Sequence, residues 1–142
     1  MPQTLSVNII YNKTNTYGLS DDISVLECIL KRVQEELGQT IGKPKVMDMR
    51  EQMSGCDIQI HLEIPVFSAI PWGHTNILLV NPEQWSYHYD AYVHAFDMLL
   101  FRDHQSAERF RNDFKKKGME TDTIYEVKWC DSWKVDELVY RP

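Results

Sequence analysis

Apolar and polar positions change period along the chain, and each change predicts an element. Residues 5–11 (Leu-Ser-Val-Asn-Ile-Ile-Tyr) are rich in branched and aromatic side chains and read as a strand. A polar stretch follows and closes on Gly18. Ile23, Leu26, Ile29, Leu30, Val33 and Leu37 then recur at three- and four-residue spacing, which marks one apolar face of a helix of about five turns. Ser20 is expected to cap this helix, with Asp21 and Asp22 in the first turn and Gly38 just past the end.

Residues 45–49 form a weaker second strand, and 57–64 alternate polar and apolar side chains as a two-faced strand does. Pro65 ends that strand, and 65–75, with Pro71 and Gly73, cannot hold a long helix. The run 76–80 (Asn-Ile-Leu-Leu-Val) is continuously apolar from Ile77, as in a strand covered on both faces, and Asn81-Pro82 stops it. A short helix is expected over 87–95 and a strand over 96–101. Asp103 then caps a helix reaching about Lys117, with Ala107, Phe110 and Phe114 inward and Gly118 at its end. Residues 123–129 read as a sixth strand and 133–140 as a short amphipathic tail. Strand and helix alternate without internal repeat or linker. The expected class is therefore α/β: a single Rossmann-like three-layer sandwich over 1–142, with a mainly parallel sheet of five to six strands.

Composition narrows the setting. The chain has 142 residues, 43% hydrophobic and 25% charged, which suits a globular domain. Lys plus Arg is 15 and Asp plus Glu is 21, a net charge of −6 that argues against general affinity for nucleic acid or anionic membrane. No membrane span and no signal peptide is legible, so a cytoplasmic protein is expected. The three cysteines (Cys28, Cys56 and Cys130) form no CxxC pair and read as reduced thiols. No two histidines have metal-ligand spacing, so no metal and no cofactor is expected.

In an open parallel sheet, ligands bind beyond the carboxyl ends of the strands. That rule selects the loops 12–19, 65–75, 81–89, 102–105 and 129–133. They supply the candidate ligand-binding residues Asn12, Tyr17, Gly18, Trp72, His74, Asn81, Gln84, Trp85, Arg102, Asp103 and Trp129, with Glu63 at the end of its strand. Indoles gathered at a strand-end rim suit sugar or base stacking; the alternative is that they cap the core. Glu83 is the candidate general base, provided burial raises its pKa; the alternative is a solvated side chain beside a turn capped by Asn81. Arg102 suits a phosphate or carboxylate ligand, or else a salt bridge within the chain. Neither a GxGxxG fingerprint nor a P-loop is present. Asp21 and Asp22 at the first helix start would repel an anion by ~1 kcal/mol or more each at low salt, unless they serve only the helix dipole.

Five segments occur in order: Ser6-Val-Asn-Ile-Ile-Tyr-Asn12, Gly18-Leu-Ser-Asp-Asp22, Asp57-Ile-Gln-Ile-His-Leu-Glu-Ile-Pro65, Asn76-Ile-Leu-Leu-Val-Asn-Pro-Glu83 and Phe96-Asp-Met-Leu-Leu-Phe-Arg-Asp103. Together they resemble the amino-terminal half of glycosyltransferases of the GT-B architecture, in particular a group from large DNA viruses and phages. The resemblance spans roughly residues 5–115 and implies a Rossmann-like half that contributes mostly acceptor contacts. In that family a second such half holds the nucleotide sugar. It implies cleft-facing positions for Gly18, Glu63, Asn81, Glu83 and Arg102. No second half and no donor-diphosphate motif precedes Pro142. The expectation is a half-domain that binds a small polar ligand (sugar, nucleotide or nucleotide sugar) without turning it over alone. A partner donor-binding subunit or a homo-oligomer would complete it. The alternatives are a viral or phage protein that sequesters a signalling nucleotide, a complete small enzyme, and a protein-interaction module.

Overall fold

Six strands lie side by side in one sheet in the order β2-β1-β3-β4-β5-β6, and every pairing is parallel. They are β1 (Val7–Tyr11), β2 (Lys45–Asp48), β3 (Cys56–Glu63), β4 (Gly73–Val80), β5 (Met98–Phe101) and β6 (Ile124–Glu126). Among the described residues, two α-helices, α1 (Leu19–Leu37) and α2 (His104–Lys116), and three 3-10 segments, Phe67–Trp72, Pro82–Gln84 and Tyr87–Ala95, accompany the sheet. This computed structural model describes residues 3–14, 19–127 and 129, so Tyr17, Gly18, Cys130 and the expected tail at 133–140 lie outside the described residues. The architecture is the Rossmann-like α/β sandwich that the alternation of elements implied.

Strand alternation divides the core between two layers. Val7, Ile9, Ile60, Leu62 and Leu79 pack with Leu26 of α1 on one face. Leu78, Val80, Leu99 and Phe101 pack with Ala107, Phe110 and Phe114 of α2 on the other. On that second face, nearer β1, Ile10 meets Val66 and Ala69. The central strand β4 is covered on both sides: Leu78, Leu79 and Val80 have no exposed surface. Each such side chain is worth ~1.5–3 kcal/mol of burial.

Helix α1 departs from the expected pattern at both ends. It already includes Leu19, so Ser20 occupies a helical position and not the expected N-cap position. Its buried stripe includes Val25, while Leu37 is 75% exposed. A 19-residue helix spans about 28 Å and a five-residue strand about 17 Å, so the last turns overrun the strand they cross. Gly38 follows at φ 67°, the left-handed geometry of a glycine C′ residue. In α2 the expectation holds: Asp103 accepts from the backbone N–H of Ser106, and Ala107, Phe110 and Phe114 are the buried residues.

Strand β4 starts three residues earlier than the expected strand 76–80. Gly73 pairs with Cys56, and a Cβ at Gly73 would come within 2.8 Å of Gln59 Cβ and 2.9 Å of Asn76 Oδ1. Only glycine lets the chain pass so close. The reason for the close passage is a buried polar network. Gln59 Nε2 donates to Ala69 O at 2.6 Å and to Asn76 Oδ1 at 3.0 Å. His61 Nδ1 accepts the Val66 N–H at 3.1 Å, which leaves the ring proton on Nε2, 3.0 Å from Asn76 Oδ1. Asn76 Nδ2 donates to Ile70 O and Gly73 O. Three side chains thus satisfy the backbone of the segment that crosses from β3 to β4, which an apolar contact cannot do.

Candidate functional site

The carboxyl ends of β3, β4 and β5 and the start of α1 converge on one group of side chains. Glu63 ends β3 and takes φ 73°, the only positive φ among the described non-glycine residues. A glutamate there carries ~1–2 kcal/mol of backbone strain, which persists only where the surroundings enforce it. Its buried carboxylate accepts from Asn81 Nδ2 at 3.3 Å, and its Oε1 is 3.7 Å from Arg102 Nη1. Arg102, one residue past β5, donates from Nη2 to Asp22 Oδ2 at 2.7 Å. The Arg102 guanidinium carbon lies 5.1 Å from the centre of the Trp129 ring, within cation–π range. Its Nε is buried without a hydrogen-bond partner.

Two carboxylates therefore share one guanidinium, and the ionised group carries a charge of −1. Burial pushes the Asp22 carboxyl up from its ordinary pKa and the neighbouring Glu63 pushes it further, while Arg102 and Trp129 pull it back. Such a junction offers carboxylate acceptors, amide and guanidinium donors, and one indole face. That set suits a ligand carrying several hydroxyls better than one carrying phosphate. Arg102 Nη2 already donates to Asp22 and Nη1 faces Glu63, so a phosphate here would compete with two carboxylates for one guanidinium.

Of the expected site residues, Glu63, Asn81, Arg102 and Trp129 come together here. Asp22 completes the group. Its place at the start of the helix that follows β1, close to the strand ends, is the sequence signal for it. Asn12 is at the carboxyl end of β1 but belongs to another network, accepting from Thr14 and from Arg50 Nη2, while Arg50 pairs with Asp48. Asp103 is occupied as the α2 cap. Glu83 and Gln84 are exposed in the turn that Asn81 caps through the Glu83 N–H. The burial on which a general base at Glu83 depended is absent.

The indole rim requires correction. Trp72 and His74 lie at the amino end of β4, the opposite edge of the sheet, beside Ser6, Cys56 and Asp57. The 3-10 segment Phe67–Trp72 has already carried the chain back across the sheet before them. Trp85 packs edge-on against Phe110 at 5.3 Å and donates from Nε1 to Asp90, so it anchors α2 to the 87–95 segment. Among the described tryptophans, Trp129 alone joins the strand-end group.

Among the described residues no helix is long and apolar enough to cross a membrane. Comparison with known proteins returns no match: no family model, no curated protein and no solved structure is significantly similar to the chain.

Proposed function

We propose that this chain is a glycosyltransferase-like half-domain that binds a small, hydroxyl-rich ligand at the carboxyl ends of β3–β6 and does not turn it over alone. What supports the reading is the strained Glu63, held against Asn81 and Arg102 at the strand ends, in the stretch where the sequence resembles the GT-B amino-terminal half. Backbone strain of this kind clusters at binding sites, where the surrounding structure holds it in place. A second chain bearing a donor site would complete the reaction.

A thermal-shift panel of free sugars, nucleotide sugars and nucleotides tests the proposal. Ligand at about 100 times its dissociation constant stabilises by about 2.7 kcal/mol, a shift of several degrees at this size. Neutral sugars should give it, and Glu63→Gln and Arg102→Met should abolish it. Silence across the panel, or a shift that both variants retain, would overturn the reading.

A protein-interaction role has one observation in its favour. Phe67 and Tyr92 are both well exposed and in contact, with ring centres 4.4 Å apart. Concentration-dependent sedimentation reads this out directly.

A further inference from the structure

Away from the strand-end junction, α2 and β6 bring three ligand-type side chains together. His104 and Glu108 stand at i and i+4 in the first turns of α2, so they share one side of the helix. Glu126 ends β6 beside them. His104 Nδ1 is 3.0 Å from Glu126 Oε1 and 2.8 Å from Oε2. One ligand atom from each of the three residues lies within 4.8 Å of the others. Ligands bound to a tetrahedral zinc at 2.0–2.1 Å are about 3.3 Å apart, so small side-chain rotations close the set.

A neighbouring arginine orients the acids. Arg111 Nη1 is 2.5 Å from Glu108 Oε1 and 3.6 Å from Glu126 Oε2, and Nη2 donates to the Ile124 carbonyl. Arg111 is thereby tied to β6 and engages one oxygen of each carboxylate. Glu108 Oε2 is left clear of Arg111, and a metal would take the place of the proton that His104 Nδ1 shares with Glu126, the outer-shell arrangement common to ligating carboxylates. With a neutral imidazole the four side chains total −1, which favours a divalent cation over an anion. The mixed nitrogen and oxygen donors favour a borderline ion over Mg²⁺ or Ca²⁺, which take all-oxygen shells.

We propose that His104, Glu108 and Glu126 form a binding site for one divalent transition-metal ion of the zinc class, with open positions left to water. The site is independent of the sugar-binding reading, since it shares no residue with the strand-end junction. Histidine spacing could not reveal it, because only one histidine takes part and Glu126 arrives from another element.

The full chain, stripped with chelator, is titrated with Zn²⁺ by calorimetry and with Co²⁺ by visible absorption, which reports nitrogen and oxygen coordination directly. One ion per chain is expected. His104→Gln and Glu126→Gln should each weaken binding by about tenfold or more and His104→Gln should remove the Co²⁺ band, with unchanged far-UV circular dichroism. His88→Gln, at another exposed histidine, should bind as the parent does. Failure to take up Zn²⁺, or equal uptake by His104→Gln, would overturn the proposal.

Discussion

Two polar groups lie on neighbouring positions of β3 and meet opposite fates. Gln59 and His61 point into a network with Asn76 that is closed: each donor has an acceptor, nothing is charged and His61 has no exposed surface. Glu63, two residues on, leaves the strand in a left-handed conformation and enters a group that is charged, strained and open, with an unpartnered Arg102 Nε. Closed neutral networks specify structure, because any loss leaves a buried group unpaired. Open charged ones keep binding capacity in reserve and are the better place to seek a ligand. The difference arises at the strand end, where hydrogen bonding to neighbouring strands stops and side chains must find each other.

The sharpest way to break this contrast is Asn76→Ala. It removes the acceptor shared by Gln59 and His61 and the donor to Ile70 and Gly73. Unfolding in urea should show a loss of about 4 kcal/mol. A loss under 1 kcal/mol would mean the network does not hold the 67–72 segment.

Arg102→Met should cost less, about 2 kcal/mol at pH 7, because the junction is partly solvated. Asp22, already pushed up by burial, then loses its cation and binds protons more tightly in the folded state. With the folded pKa above the unfolded one, the variant gains stability as pH falls through the carboxylate range and loses it as pH rises. The deficit should therefore be larger at pH 7 than at pH 4.5, and adding Asp22→Asn should recover part of it. Equal deficits at both pH values would remove the charge argument.

The smallest effect concerns His61, whose pKa burial lowers from 6.5 to about 4 against the pull of Asn76. The unfolded chain binds more protons between those values, so stability is full above pH 6.5 and is lost as pH falls toward 4. Between pH 6.5 and 5 this amounts to about 1.5 kcal/mol. His61→Gln, which keeps a donor and an acceptor but takes up no proton, should flatten that slope. A slope unchanged in His61→Gln would assign the acid sensitivity to other groups.

Much of the candidate site was legible before its geometry. Glu63, Asn81, Arg102 and Trp129 follow from one rule, that ligands gather beyond the carboxyl ends of parallel strands, once the strand ends are read correctly. The errors share a cause. Placing Trp72 and His74 at the same rim requires β4 to begin at Asn76, just ahead of the apolar run, whereas pairing with β3 begins at Gly73. Backbone pairing does not need apolar side chains, so hydrophobicity alone misplaces a strand's polar start. Trp85 follows the alternative stated for the indoles, because an indole after a strand looks the same in sequence whether it faces solvent or lies against a helix such as α2.

Local pattern was enough for the element order, the parallel α/β class, the inward residues of α2, the Asp103 cap and the Gly38 terminus. Each depends on neighbours within a few residues along the chain. Only the folded chain decided that Asp22 pairs with Arg102 across 80 residues, that Glu63 departs from the strand with positive φ, and that His104 meets Glu126. Those meetings depend on which strand ends adjoin, and strand order is a property of the whole sheet that no short stretch of sequence encodes.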